Sequence, residues 1–489
     1  MLKPTKKNIL FATSECNPFI KTGGLADVAG ALPKHLDPER YDVRVMVPKY
    51  LCIAPEWSDR MEYKTHFYID LGWRHQYVGV LELTHDGITY YFIDNEFYFA
   101  GDYPYGEIYQ DIEKFAFFSK AVIEACDHLD FKPDIIHCHD WETALIPVFI
   151  DQMRTQADPR GDVKTILTIH NLRFQGRWGL DQVKDITWLD KHYFADGILE
   201  AFGDANYMKG GIVTADRVTT VSETYSQEIR TPFYGEGLEA VIDSCAGKLS
   251  GIVNGLDLDE FDPMHDPYLR HHFDVNTFRR QKPVCKKALQ QRMGLEQNPG
   301  KMVYGIVSRL TDQKGFDLVG SVIEALVHDQ VQLAVIGSGD KKYEDMFEYF
   351  IRAYPGQVAF YNGYSEETAR HIYAGSDAFI MPSIFEPCGL SQMISMRYGS
   401  VPVVRETGGL KDTVEPYNEY EDTGCGFSFA GADAGEFLNI LRYAQDIYYN
   451  HKRCWNKIVE RGMNKDFSWN ASAECYGRLY DELILKGDD

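Results

Sequence analysis

Short apolar runs alternate with longer amphipathic stretches along the whole chain. The first half carries such runs at 9–12, 43–47, 79–83, 90–93, 135–138, 165–169 and 218–221. The second half carries them at 302–307, 333–336, 358–361, 378–381 and 401–404. Runs that are apolar throughout, rather than at alternate positions, predict strands covered on both faces. Their spacing leaves room for crossover helices, which predicts α/β architecture with parallel sheets. The pattern breaks at 252–263, where Asn-Gly, several Asp and a Pro interrupt it, and strands resume at 302. Two doubly wound halves are therefore expected, each binding ligands beyond the carboxyl ends of its strands, where strand order switches. Two such halves facing each other would enclose a cleft. From Phe467-Ser468-Trp469 onward the chain reads as a helix.

Several strand ends carry candidate chemistry. In 381–410, Glu386 stands between Phe385 and Pro387, and a turn of Cys388, Gly389, Leu390 and Ser391 opens an amphipathic helix. The first N–H groups of that helix lack partners and favour an anion. Thr407-Gly408-Gly409 is a turn with no side chain to hold a ligand away. A carboxylate beside such a helix start suits a ligand with neutral hydroxyls on one side and phosphates on the other. After the first strand comes Lys21-Thr22-Gly23-Gly24, where glycines let backbone amides approach an anion and Lys21 adds a point charge. After the strand at 302–307 come Arg309 and Lys314-Gly315; arginine grips a diphosphate bidentately and lysine adds a second charge. Taken alone, each of these also reads as an ordinary crossover turn with solvated cations. His137, His139, Asp140 and Trp141 end another strand, and the two histidines on one strand face have too few neighbouring ligands for a metal site. The Asp257-x-Asp259 pair lies in the linker and reads as structural, so no metal is expected. His170-Asn171 also ends a strand.

Phe385-Glu386-Pro387-Cys388-Gly389-Leu390, followed by Arg405-x-Thr407-Gly408-Gly409-Leu410, resembles the donor-site signature of bacterial glycogen/starch synthases. These are retaining glycosyltransferases of the GT-B fold that use ADP-glucose. Lys21-Thr22-Gly23-Gly24-Leu25-Ala26-Asp27-Val28 is similar to the family's other hallmark, and further matches run to the C-terminus. The resemblance implies an N-terminal Rossmann-like domain at 1–253 on the acceptor side and a donor domain at 254–463. It also implies a helix at 464–489 crossing back to the first domain. By the same resemblance the chain moves an α-glucosyl group from ADP-glucose to the 4-hydroxyl at the non-reducing end of an α-1,4-glucan and releases ADP. It implies His170, Arg309, Lys314 and Glu386 as catalytic, with His170 at the reacting sugar and the two cations on the departing diphosphate. Donor contacts are implied for Lys21, Gly23, Gly24, Asn254, Tyr364, Cys388, Gly389, Leu390 and Ser391, with Tyr364 stacked on adenine. Asp27, Tyr105, Asp140, Trp141 and Asn171 belong to the acceptor and sugar side. Eight residues after Glu386 stands Ile394, where many retaining GT-B enzymes carry a second glutamate, a departure this branch shares.

Composition adjusts the picture modestly. The 489 residues are too many for one core. A formal net charge of −23 argues against nucleic-acid and anionic-membrane partners, which want a basic face, and is immaterial to a neutral polymer. Ten scattered cysteines without a Cys-x-x-Cys pair fit a reduced cytoplasmic protein. No apolar run approaches 18 residues, and no cofactor is expected. Two rivals remain: a related GT-B enzyme with another donor or acceptor, and a glucan-binding protein with a dead site. An NAD-dependent oxidoreductase is remote, because no G-x-G-x-x-G follows the first strand.

Overall fold

Ile9, Leu10, Phe11 and Ala12 are fully buried because they lie in the middle strand of a nine-stranded sheet. The computed structural model describes residues 6–195 and 197–485, so residues 486–489 of the expected C-terminal segment lie outside the described residues. The chain forms two units, Met1–Gly255 with Trp469–Asp489 and Leu256–Ser468. The division thus falls after 255 and 468 rather than 253 and 463. Asn254 belongs to the first unit, and 464–468 to the second.

In the first unit the strands are β1 (Lys7–Ala12), β2 (Tyr41–Pro48), β3 (Glu62–Leu71), β4 (Arg74–His85), β5 (Ile88–Asp94), β6 (Ile135–His139) and β7 (Lys164–Ile169). A short antiparallel sheet follows, made of β8 (Arg177–Gly179), β9 (Glu200–Ala201) and β10 (Asp204–Asn206). Next come β11 (Arg217–Thr220) and β12 (Leu249–Gly251), and the large sheet runs β12-β11-β7-β6-β1-β2-β5-β4-β3. β6 and β2 flank β1 on opposite sides, so the loops after β1 and β6 open at a switch in strand order.

The expectation of parallel strands fails at one edge. β3, which has no all-apolar run, pairs antiparallel with β4, and β4 antiparallel with β5. The two-residue turn Gly72-Trp73 joins the hairpin, with Gly72 at φ +59°. Phe67, Ile69 and Leu71 of β3 are buried while His66, Tyr68 and Asp70 are exposed, the alternation of a sheet wet on one face.

The C-terminal helix Trp469–Leu485 packs on the first unit. Tyr41 Oη donates to Gly477 O (2.9 Å), Tyr480 Oη lies 2.9 Å from His137 Nδ1, and Ser472 Oγ donates to Val253 O (2.6 Å).

The second unit holds β13 (Val303–Val307), β14 (Gln332–Gly337), β15 (Val358–Asn362), β16 (Ala378–Met381), β17 (Val401–Arg405) and β18 (Phe427–Phe429). All pair in parallel, in the order β15-β14-β13-β16-β17-β18. Counted from its own first strand this is 3-2-1-4-5-6, the doubly wound dinucleotide-binding order, with the switch between β13 and β16. The loops after those two strands carry Arg309, Lys314 and Glu386. No helix among the described residues is long and apolar enough to cross a membrane.

Candidate active site

In the second unit the loops after β13 and β16 are locked together through backbone. Gly315 sits at φ +73°, and a Cβ there would fall 2.1 Å from Pro382 O. Ile384 N donates to Gln313 O (2.8 Å), and Gln313 Nε2 donates to Phe385 O (3.2 Å). Arg405, at the end of β17, supports the same loop, with Nε donating to Ser383 O (2.8 Å) and Nη2 to Ile384 O. Gly408 and Gly409 follow, pressed against it: Gly409 N donates to Glu386 O (3.1 Å).

This scaffold holds Glu386 almost fully buried. Its Oε2 accepts from Lys314 Nζ (2.6 Å) and from Ser383 Oγ (3.0 Å). The residues expected to divide their work between sugar and diphosphate are therefore an ion pair here, in a largely desolvated place. Arg309 is exposed, and its guanidinium makes no hydrogen bond or ion pair among the described residues. Cys388 is buried, Gly389 takes φ +73°, and Gln392 Nε2 bonds the carbonyls of both (3.1 and 2.9 Å). Leu390 caps the helix Ser391–Arg397, which has seven residues. Ser391 Oγ accepts from Tyr373 Oη (3.1 Å). Tyr364 is 70% exposed, and its hydroxyl bonds Glu366.

In the first unit the loop after β1 is organised by a carboxylate. Glu15 accepts from Thr22 N, Thr22 Oγ1 (2.6 Å), Gly23 N (3.2 Å) and Tyr105 Oη (2.5 Å). The N–H groups of Thr22 and Gly23, expected to face an anion, are thus taken by a buried side chain. Lys21 Nζ pairs with Asp27 Oδ1 (2.7 Å) at the surface. A Cβ on Gly23 or Gly24 would meet nothing within 4 Å.

Beyond β6, Asp140 adopts φ +55°, uncommon for a residue with a side chain, and so points its carboxylate across to the end of β7. Its Oδ1 accepts from His170 N (2.7 Å) and Asn171 N (3.4 Å). Burial pushes the Asp140 carboxyl up to about 7 against those two backbone donors. His170 Nε2 lies 3.0 Å from His139 Nδ1, while His137 is satisfied by Tyr480 and Thr168 Oγ1 (2.6 Å). Burial pushes His137 and His170 down to about 3 and lowers His139 as well, so the three rings are neutral at pH 7. Trp141, implied for the acceptor side, is a buried residue: it lies edge-on to Phe115 (5.2 Å), and a Cβ on Gly176 would fall 2.1 Å from its ring. Asn171 Oδ1 accepts from Arg173 N (3.1 Å). Asn254 is buried with Oδ1 unpartnered among the described residues, the state of an acceptor poised for a donor.

Residues 8–244 match the starch synthase catalytic domain, and 289–453 match glycosyl transferases group 1. The chain is 58% identical over 477 residues to a glycogen synthase of Lachnospira eligens, covering 98% of this chain and 100% of that one. It is 46% identical over 478 residues to a glycogen synthase of Geobacillus stearothermophilus, covering 98% of each. The chain belongs to the starch/glycogen synthase family of glycosyltransferases. Its fold is that family's GT-B pair of Rossmann-like units. The catalytic domain of starch synthase IV from Arabidopsis thaliana, solved with ADP and acarbose, aligns with a TM-score of 0.87 at 31% identity, over 98% of this chain and 100% of that one.

Three residues that brace these loops did not stand out in the sequence: Glu15, Ser383, and Arg405 as a loop support. Glu15 stands three residues and Ser383 two residues past a strand end, close to the positions of Arg309, two past β13, and His170, one past β7. Their short polar side chains carried no distinguishing spacing.

Proposed function

We propose that the chain transfers an α-glucosyl group from ADP-glucose to the 4-hydroxyl at the non-reducing end of an α-1,4-glucan, with retention of configuration and release of ADP. The observation that carries this reading is the Lys314–Glu386 pair at the switch point of a 3-2-1-4-5-6 sheet, with the unpaired Arg309 on the same loop as Lys314. A carboxylate there accepts from sugar hydroxyls, and two cations suit a diphosphate. The full-length likeness to glycogen synthases, and to a starch synthase solved with ADP and acarbose, supports the donor and the polymer.

In this reading Lys314 turns from Glu386 to the diphosphate as the donor binds, freeing Glu386 for glucose hydroxyls beside Cys388 and Gly389. Backbone at Leu390 and Ser391 meets the phosphates, and Tyr364 offers its exposed ring to adenine. Lys21 adds charge, Gly23 and Gly24 leave room beside it with no side chain in the way, and Asn254 bonds a sugar hydroxyl. The bond from the anomeric carbon to the diphosphate breaks with its electron pair leaving on ADP. Arg309 and Lys314 are then most effective, because the charge they face is greatest in the transition state. The acceptor 4-oxygen bonds that carbon from the same face, and its proton goes to the departing phosphate oxygen. A neutral His170 lies at the developing positive charge, where an imidazolium would oppose it. Asp27, Tyr105, Asp140, Trp141 and Asn171 shape the acceptor side, Trp141 from the core. The reading places the protein in the cytoplasm with its nucleotide sugar.

The test is a coupled assay of nucleotide release with glycogen present. ADP-glucose should exceed UDP-glucose by about tenfold or more in kcat/KM. A preference for UDP-glucose overturns the donor assignment, and no release from either donor favours the dead-site reading.

A further inference from the structure

Glu15 has no role in the reaction as proposed above, yet its carboxylate is among the most fully engaged in the first unit. It is 3% exposed, and no lysine or arginine pairs with it among the described residues. Its charge is held by neutral donors alone. Oε2 accepts from the backbone of Thr22 and Gly23, and Oε1 accepts from Thr22 Oγ1 at 2.6 Å and Tyr105 Oη at 2.5 Å. Tyr105 Oη lies also 2.9 Å from Ser14 Oγ, so one carboxylate ties the loop after β1 to a segment 90 residues away. The turn it grips is the one that presents Lys21.

We propose that Glu15 is a positioning residue: it fixes the turn 21–24 in one conformation and clamps Tyr105 to it. The proposal rests on the functional reading above, in which Lys21 serves the donor phosphates. A buried anion behind a phosphate-facing turn is electrostatically unfavourable for a diphosphate. Hydrogen-bond geometry is what compensates, because one carboxylate accepts the four donors that no neutral side chain of that size can all satisfy. The amide of Glu15→Gln has a single acceptor oxygen and two N–H donors that face other donors. The turn would loosen while the repulsion disappears. Donor binding and turnover are therefore expected to move differently.

The experiment measures kcat, donor KM and acceptor KM for Glu15→Gln and Tyr105→Phe, each alone and in a Lys21→Ala background, with folding followed by thermal melts. Glu15→Gln should lower kcat by about tenfold while donor KM changes by less than about threefold, a misplaced group acting mainly in the transition state. Tyr105→Phe, which deletes one of the four bonds, should cost about threefold in kcat by the same route. In the Lys21→Ala background both losses should shrink to less than about twofold, because the turn no longer carries the group being positioned. Equal losses with and without Lys21 overturn the proposal, as does a wild-type kcat in Glu15→Gln. If Glu15→Gln fails to fold, the Tyr105→Phe pair decides by the same comparison. A wild-type enzyme that releases no ADP with glycogen would instead refute the functional reading itself.

Discussion

The tetrapeptide Thr-Gly-Gly-Leu occurs twice, at 22–25 in the first unit and at 407–410 in the second, and each time it opens a helix after a strand. The glycines do opposite work. At Gly23 and Gly24 an added Cβ would meet nothing within 4 Å, so the missing side chain leaves open space at the protein surface. At Gly408 a Cβ would lie 2.0 Å from Glu386 O, and at Gly409 it would lie 2.1 Å from Cys388 O. There the missing side chain lets one backbone press on another and so sets the height of Glu386. The two sites are held differently as well. A carboxylate accepting from N–H and O–H groups shapes the first, and an ion pair seated on close-packed backbone shapes the second. A motif shared letter for letter thus marks open space in one place and packing in the other.

The sharpest way to break this comparison is to add the same methyl group on both sides. Gly409→Ala should lower stability by about 3 kcal/mol and nearly abolish activity, because the clashing atoms are backbone and cannot swing away. Gly24→Ala should leave the melting temperature unchanged within about a degree and reduce activity only through donor approach. Equal melting temperatures for the two variants would show that the glycines of the second unit are not packing positions.

The next effect separates the two cations of the second unit. Lys314→Ala should cost about a hundredfold in kcat, with a smaller change in donor affinity. It should also destabilise by about 3 kcal/mol, because Glu386 is left buried without its partner. Arg309→Ala, exposed and unpaired, should lose activity with an unchanged melting temperature. Equal losses of turnover and donor binding in Lys314→Ala would count against its role on the leaving group.

The smallest effect concerns pH and belongs to the first unit. Burial holds His137 and His170 at about 3, below the ordinary 6.5, so the folded chain binds fewer protons than the unfolded one between those values. The stability this represents is present above about 6.5 and is lost as pH falls through that window. Asp140 acts in the opposite sense: its folded carboxyl keeps a proton up to about 7 while the unfolded one releases it near 3.8. Its contribution therefore rises as pH falls and offsets part of the histidine loss. Asp140→Asn keeps an oxygen for His170 N–H but removes the titration, so urea midpoints should fall more steeply from pH 7 to pH 5 than in the wild type. Parallel slopes would mean that Asp140 does not carry the offsetting proton.

Much of this was legible before any coordinates. Strands buried on both faces announce themselves as continuous apolar runs, and the residues just past them, Arg309, Lys314, Glu386 and His170, stand out by chemical type. The hairpin β3–β4 was half hidden, because a strand wet on one face mixes polar and apolar positions and resembles a loop. The burial of Trp141 was not legible either: a tryptophan at a strand end can stand in or out, and the packing of Phe115, Tyr207 and Gly176 puts it inside.

By itself the sequence determined the family, the α/β class and the strand ends at which chemistry is placed, since all of these follow from local periodicity and contiguous motifs. Only the tertiary structure decided who pairs with whom: Lys314 with Glu386 across 72 positions, Tyr105 with Glu15 across 90, and Asp140 with the backbone of His170 across 30. It also decided why each Thr-Gly-Gly-Leu needs its glycines. The order of strands in a sheet brings distant loops within hydrogen-bond reach, and that order is set by long-range packing that no local pattern encodes.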